Sequence, residues 1–239
     1  MSTSKYSERH PLEGIYIPLQ PDLNHFSEQK KITWEQTFKE ERERLGHIPI
    51  SFFGGLPPPP KNSKTTVFWD FHNVADFNLN LFVKTVQFLN SNGVESRILS
   101  FVGRGTRTHA NVLIVCSLPT IKALVKEVVL VFDKKKKERG KGHIIREWLV
   151  NNPGKTTVFV DDSPDNFKNV RKALDGDILS RCKLVHFVGA DDAKEEVTPE
   201  DAVRVDQWDN LHEVVCGYVL GEDGYDDGKK TVVVGSGDE

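Results

Sequence analysis

Three aspartates at the ends of apolar runs are the residues best placed to do chemistry. Asp70 follows Val67, Phe68 and Trp69 in VFWDFH, and Asp161 and Asp162 follow Val158, Phe159 and Val160 in VFVDDSPDNF. Clustered carboxylates repel one another unless a cation intervenes, and hard oxygen donors suit Mg²⁺. A carboxylate beside such a cation can attack a phosphoryl group, giving an acyl phosphate that water then hydrolyses. A hydroxyl at Ser100 and an ammonium at Lys141 could hold the remaining phosphoryl oxygens as charge redistributes.

For these groups to meet, the chain must bring distant segments to one edge. TTVFWD over 65–70 is a short β-branched and aromatic run of the kind found in buried parallel strands. Apolar residues at helical spacing follow over 79–89, ending at Asn90–Gly93, where a C-cap fits. SRILSFV (96–102) predicts a second strand, and 128–132 a third, after a helix within 120–129. The stretch 109–117 reads equally as helix or strand. A helix over 142–150 leads to a strand over 156–160. Ser163 as N-cap and Pro164 at the first helical position open another helix, running to Leu174. KLVHFV (183–188) predicts a fifth strand. This alternation implies a doubly wound, Rossmann-like, mostly parallel α/β sheet with helices on both faces. Ligands of such sheets gather at the carboxyl ends of the strands, where Asp70, Ser100 and Asp161–Asp162 fall.

In order and spacing, Asp70, Ser100, Lys141 and Asp161–Asp162 resemble the four motifs of the haloacid dehalogenase-like (HAD) superfamily, over about half the chain. The resemblance implies Asp70 as nucleophile and metal ligand, Asp161 and Asp162 as further ligands of Mg²⁺, and Ser100 and Lys141 as phosphate-binding groups. It adds the backbone carbonyl of His72 to the metal ligands. One departure stands out: where family phosphatases carry a second Asp two residues after the nucleophile, this chain has His72. Imidazole, with a pKa of about 6.5, can move protons near neutrality, so His72 is a candidate general acid and base. No long insertion follows Asp70, which resembles the capless branch and implies open access for a phosphorylated, even macromolecular, substrate.

FWDFHNV also resembles the opening strand of NYN (PIN-like) ribonucleases. On that reading Asp70, Asp161, Asp162 and Asp165 would surround a metal that activates water. A third class is a noncatalytic binding subunit on the same fold.

Outside this core the chain divides into an N-terminal extension (1–62), the α/β domain (63–220) and an acidic tail (221–239). The extension carries one helix, about 27–45, whose sparse apolar positions need a larger body to lean on. It could also dock a protein partner. A run of four prolines then leads into the first strand as a stiff linker. Lys134 to Lys137 form a basic loop that could meet nucleic-acid phosphates. Of 239 residues, 38% are hydrophobic and the net charge is −3, which fits a globular chain without a global basic field. Three scattered cysteines give no zinc or disulfide pattern. With no signal-like or membrane-length apolar stretch, a soluble cytoplasmic protein is expected.

Overall fold

The computed structural model describes residues 26–45, 57–132, 140–189 and 197–220. The basic loop at Lys134 to Lys137, the start of the extension and the acidic tail lie outside them. So does most of the approach to the proline run.

Six strands form one sheet in the order β3-β2-β1-β4-β5-β6, every pair parallel. They are β1 (Thr65–Trp69), β2 (Glu95–Val102), β3 (Glu127–Phe132), β4 (Thr156–Asp161), β5 (Cys182–Phe187) and β6 (Ala202–Val205). Parallel strands need crossovers, and the helices α2 (Leu79–Ser91), α3 (Arg107–Cys116) and α4 (Pro119–Leu124) supply those on one face, joined by the final helix α8 (Trp208–Leu220). The other face carries α5 (Lys141–Asn151), α6 (Pro164–Ala173) and the short α7 (Gly176–Ser180). The doubly wound α/β architecture is therefore as expected.

Alternation along the strands sends successive side chains into two separate cores. Val67, Trp69, Ile98 and Val160 pack with Phe82, Val86 and Leu211 on the first face. Phe68, Leu99, Phe159 and Leu184 pack with Ile145, Trp148 and Phe167 on the second. Trp69, next to Asp70 and so a possible pocket wall by sequence, is instead fully buried between Phe82 and Trp208. Its Nε1 donates to Ser96 Oγ at 3.2 Å.

Helix α1 (Glu28–Leu45) leans on α3, as its sparse pattern requires, through Phe26, Trp34, Ala110 and Leu113. The ambiguous stretch after β2 is the helix α3, capped by Thr106 Oγ1 accepting from His109 N at 3.2 Å. Two elements escaped the sequence reading. α7 is a single short turn. β6 lies inside a stretch that reads as acidic connection, and of its four residues only Val205 is buried. No described helix is long and apolar enough to cross a membrane.

Candidate functional site

The strand order reverses between β1 and β4, and there an open α/β sheet presents its ligand crevice. Asp70 stands immediately past β1, and Asp161 is the last residue of β4. Asp70 N donates to Val160 O at 2.8 Å, extending the β1–β4 ladder by one step and fixing the two carboxylates side by side. Ligand oxygens of Asp70, Asp161 and Asp162 lie within 4.8 Å of one another.

Lys141 completes the group from the first turn of α5. Its Nζ lies 2.7 Å from Asp70 Oδ2 and 2.6 Å from Asp161 Oδ2, and the residue is only 1% exposed. What lets α5 approach so closely is Gly142. A Cβ there would come within 2.5 Å of the Asn169 carbonyl on α6, and the Gly142 N–H instead donates to Asn169 Oδ1 at 2.8 Å.

Each carboxylate has its own local support. Asp70 Oδ1 accepts from Phe71 N at 2.7 Å, and Asp161 Oδ1 accepts from Ser163 N (2.9 Å) and Asn166 Nδ2 (2.8 Å). Asp162 Oδ2 accepts from Asn73 Nδ2 at 2.8 Å. Asn73 reaches it from a left-handed backbone position (φ 59°), a conformation Asn tolerates better than most residues. The tight turn containing it spans Phe71–Ala75, where His72 is extended and its side chain exposed.

A buried histidine pins the same loop from behind. His186 on β5 lies 2.9 Å from the Asp162 carbonyl through Nε2 and 2.8 Å from Thr198 Oγ1 through Nδ1. A carbonyl only accepts, so Nε2 carries the proton and Nδ1 accepts from the Thr198 hydroxyl. Arg204 Nη1 donates to that hydroxyl at 3.1 Å, which completes its bonding. Burial keeps His186 below the ordinary imidazole pKa, in keeping with a neutral ring.

The electrostatics follow from three carboxylates around one ammonium in a dry edge. Burial pushes the Asp70 carboxyl up to about 7 against the pull of Lys141, and Asp161 adds to the rise. Burial and then Asp161 push Asp162 up to about 6. Burial alone would lower Lys141, but Asp161 and Asp70 outweigh it and hold the ammonium above its ordinary value. The centre is thus two positive charges short of its three carboxylates. A hard divalent ion fits this donor set, with Asp70, Asp161 and Asp162 as its carboxylate ligands.

Ser100 is placed differently. Its register puts it two residues past the Trp69–Ile98 pair, level with the edge. Alternation gives it the face of Ile98 and Val102, which lie in the first core, while Lys141 comes from the second. Its Oγ is buried without a hydrogen-bond partner. The arginines of the following GRGTRT turn are engaged elsewhere: Arg104 lies over the Phe132 ring at 4.4 Å, and Arg107 pairs with Glu41 of α1 at 2.7 Å. Asp165 faces solvent and pairs with Lys168 at 2.8 Å, away from the other three aspartates. Asn73, Asn166 and His186 were not singled out by sequence. The two asparagines sit three and five residues after Asp70 and Asp161, a spacing that could have flagged them. Nothing in the sequence points to His186.

Together the fold and the site define a doubly wound parallel α/β protein with a carboxylate–lysine centre at its strand-order switch. No family model and no curated protein matches the sequence. Among solved structures, the chain is similar to a protein of Burkholderia xenovorans LB400 described as a haloacid dehalogenase-like hydrolase. The two are 14% identical with a TM-score of 0.36, over 80% of this chain and 86% of that one.

Proposed function

We propose that the chain is a Mg²⁺-dependent phosphohydrolase of the HAD kind, working through an aspartyl phosphate on Asp70. The observation that carries this reading is Lys141 Nζ bridging Asp70 and Asp161 at 2.7 and 2.6 Å at the switch point, with Asp162 alongside. Asp70 attacks phosphorus through a carboxylate oxygen as the bond to the leaving oxygen breaks. Lys141 pulls that carboxylate toward ionisation against its burial and offers positive charge to the transferring group. His72, exposed on the turn after Asp70, gives a proton to the leaving oxygen. It then takes one from the water that opens the acyl phosphate and releases inorganic phosphate. Bound Mg²⁺ would supply further charge neutralisation for the phosphoryl oxygens.

An assay of the full chain with Mg²⁺ against p-nitrophenyl phosphate and against single-stranded RNA tests the reading, with Asp70→Asn alongside. Aryl phosphate turnover that disappears in the variant is the expected result. RNA cleavage without phosphatase activity would overturn it in favour of a metal-dependent nuclease.

His186 gives a second measurement. His186→Phe removes the donor to the Asp162 carbonyl while filling similar volume, and should weaken Mn²⁺ binding about tenfold, as loss of outer-shell support commonly does. His186→Gln keeps an N–H for that carbonyl and should recover most of the affinity. Equal Mn²⁺ affinity in wild type and His186→Phe, measured by electron paramagnetic resonance, would remove His186 from this role.

A further inference from the structure

Beside the carboxylate centre lies a cleft of about 550 Å³. One wall is the start of α6, with Ser163, Pro164, Lys168 and Arg171; the other is the 197–200 segment. Ser163 joins the cleft to the centre directly, because its N–H holds Asp161 Oδ1. The far wall is joined too, since Thr198 is fastened through His186 to the Asp162 carbonyl. Both sides of the cleft are therefore held by the loop that carries Asp161 and Asp162.

We infer that this cleft receives the alcohol portion of the phosphoester attacked by Asp70 and selects one that is partly apolar. The inference rests on the phosphohydrolase reading above and names the substrate class for that site. The two cations of the cleft are already engaged, Lys168 by Asp165 at 2.8 Å and Arg171 by Asp201, whose Oδ2 accepts from Nε at 2.8 Å. Glu200 adds a further carboxylate, and Arg204 donates to Thr198 Oγ1 at 3.1 Å behind the far wall, so neither sign of charge is in excess there. Surface chemistry decides the selection. Pro164 and Pro199 offer rigid apolar faces from opposite walls, and Val197 at the mouth is 84% exposed. An exposed valine beside two prolines is apolar area that an aryl or alkyl group can cover.

The test uses the ¹⁵N-labelled full chain with Mg²⁺ and two probes, phenylphosphonate and methylphosphonate. Both carry the same anionic head, and only the first has a group for the cleft. Phenylphosphonate should shift the amides of Ser163, Lys168, Val197, Thr198 and Glu200, and methylphosphonate should leave Lys168 and Val197 in place. Identical shift patterns for the two probes, or no shift in the cleft, would overturn the inference. Val197→Asp, at an exposed position that the fold does not need, should raise KM for p-nitrophenyl phosphate about fivefold with little change in kcat, the signature of lost uniform binding. If Asp70→Asn abolishes turnover but Val197→Asp leaves KM unchanged, the cleft assignment fails and the phosphohydrolase reading stands. If nothing is turned over, the phosphohydrolase reading fails, and the phenyl-specific shifts alone decide whether the cleft binds apolar groups.

Discussion

Replacing Lys141 with methionine is expected to cost about 3–5 kcal/mol of folding free energy at pH 8, the usual penalty for removing one partner of a buried ion pair. Methionine matches the length of the lysine stem and can keep the packing near Phe159, whose ring centroid lies 5.9 Å from Nζ. The loss is therefore electrostatic. Without the ammonium, Asp70 and Asp161 are two adjacent buried carboxylates that cannot both stay ionised. At pH 5 they can share a proton, so the destabilisation should shrink to a fraction of its value at pH 8. Urea denaturation of both chains at the two pH values measures this directly. A loss at pH 8 below about 1 kcal/mol, smaller than breaking a buried pair allows, would mean that Lys141 is not the counter-charge of this centre. An equal loss at both pH values would mean that packing, not charge, explains its burial.

Lys141 also illustrates what local sequence can and cannot convey. The alternation of apolar runs set out five of the six strands and the main helices, because buried parallel strands leave a strong hydrophobic signal. β6 left none. It pairs on one side only, with β5, and of its four residues only Val205 is buried, so its sequence matches that of a loop. The stretch after β2 failed for the opposite reason. His109–Cys116 is apolar nearly throughout, as α3 is buried both by the sheet and by α1, and period cannot be read where every face is covered.

The site divides along similar lines. Asp70, Asp161 and Asp162 were legible because strand ends in this architecture converge on one crevice. Lys141 was legible through its place at the head of a helix, but its near-complete burial depends on Gly142 admitting α6, which only the tertiary contact reveals. Ser100 shows the limit of spacing as an argument. Its distance along the strand is right for the edge, yet the period of two gives its side chain to the first core, and counting residues from a predicted strand start does not fix the face. His186 was invisible because its role is made of bonds to residues 24 positions before it and 12 after it.

Stability should fall as pH rises from about 4 to about 7 in the absence of divalent cations, and Mg²⁺ should reverse this most strongly at pH 8. The sign comes from Asp70, whose carboxyl rises from 3.8 to about 7 on folding, chiefly through burial. Between those values the unfolded chain has released the proton and the folded chain retains it, so each step up in pH favours unfolding. Asp162, raised to about 6, acts in the same direction. A divalent cation binds the ionised carboxylates in competition with protons, so its stabilisation must grow as pH rises. At a concentration 100-fold above Kd that stabilisation is about 2.7 kcal/mol. For a chain of this size it amounts to roughly 5–10 °C in melting temperature. Thermal melts with and without Mg²⁺ at pH 5 and pH 8 should show a shift of this order at pH 8 and little at pH 5. Asp70→Asn, with one acidic ligand replaced by a neutral amide, should lose most of the Mg²⁺ shift and part of the pH dependence. A Mg²⁺ shift as large at pH 5 as at pH 8, or one preserved in Asp70→Asn, would place cation binding away from these three aspartates.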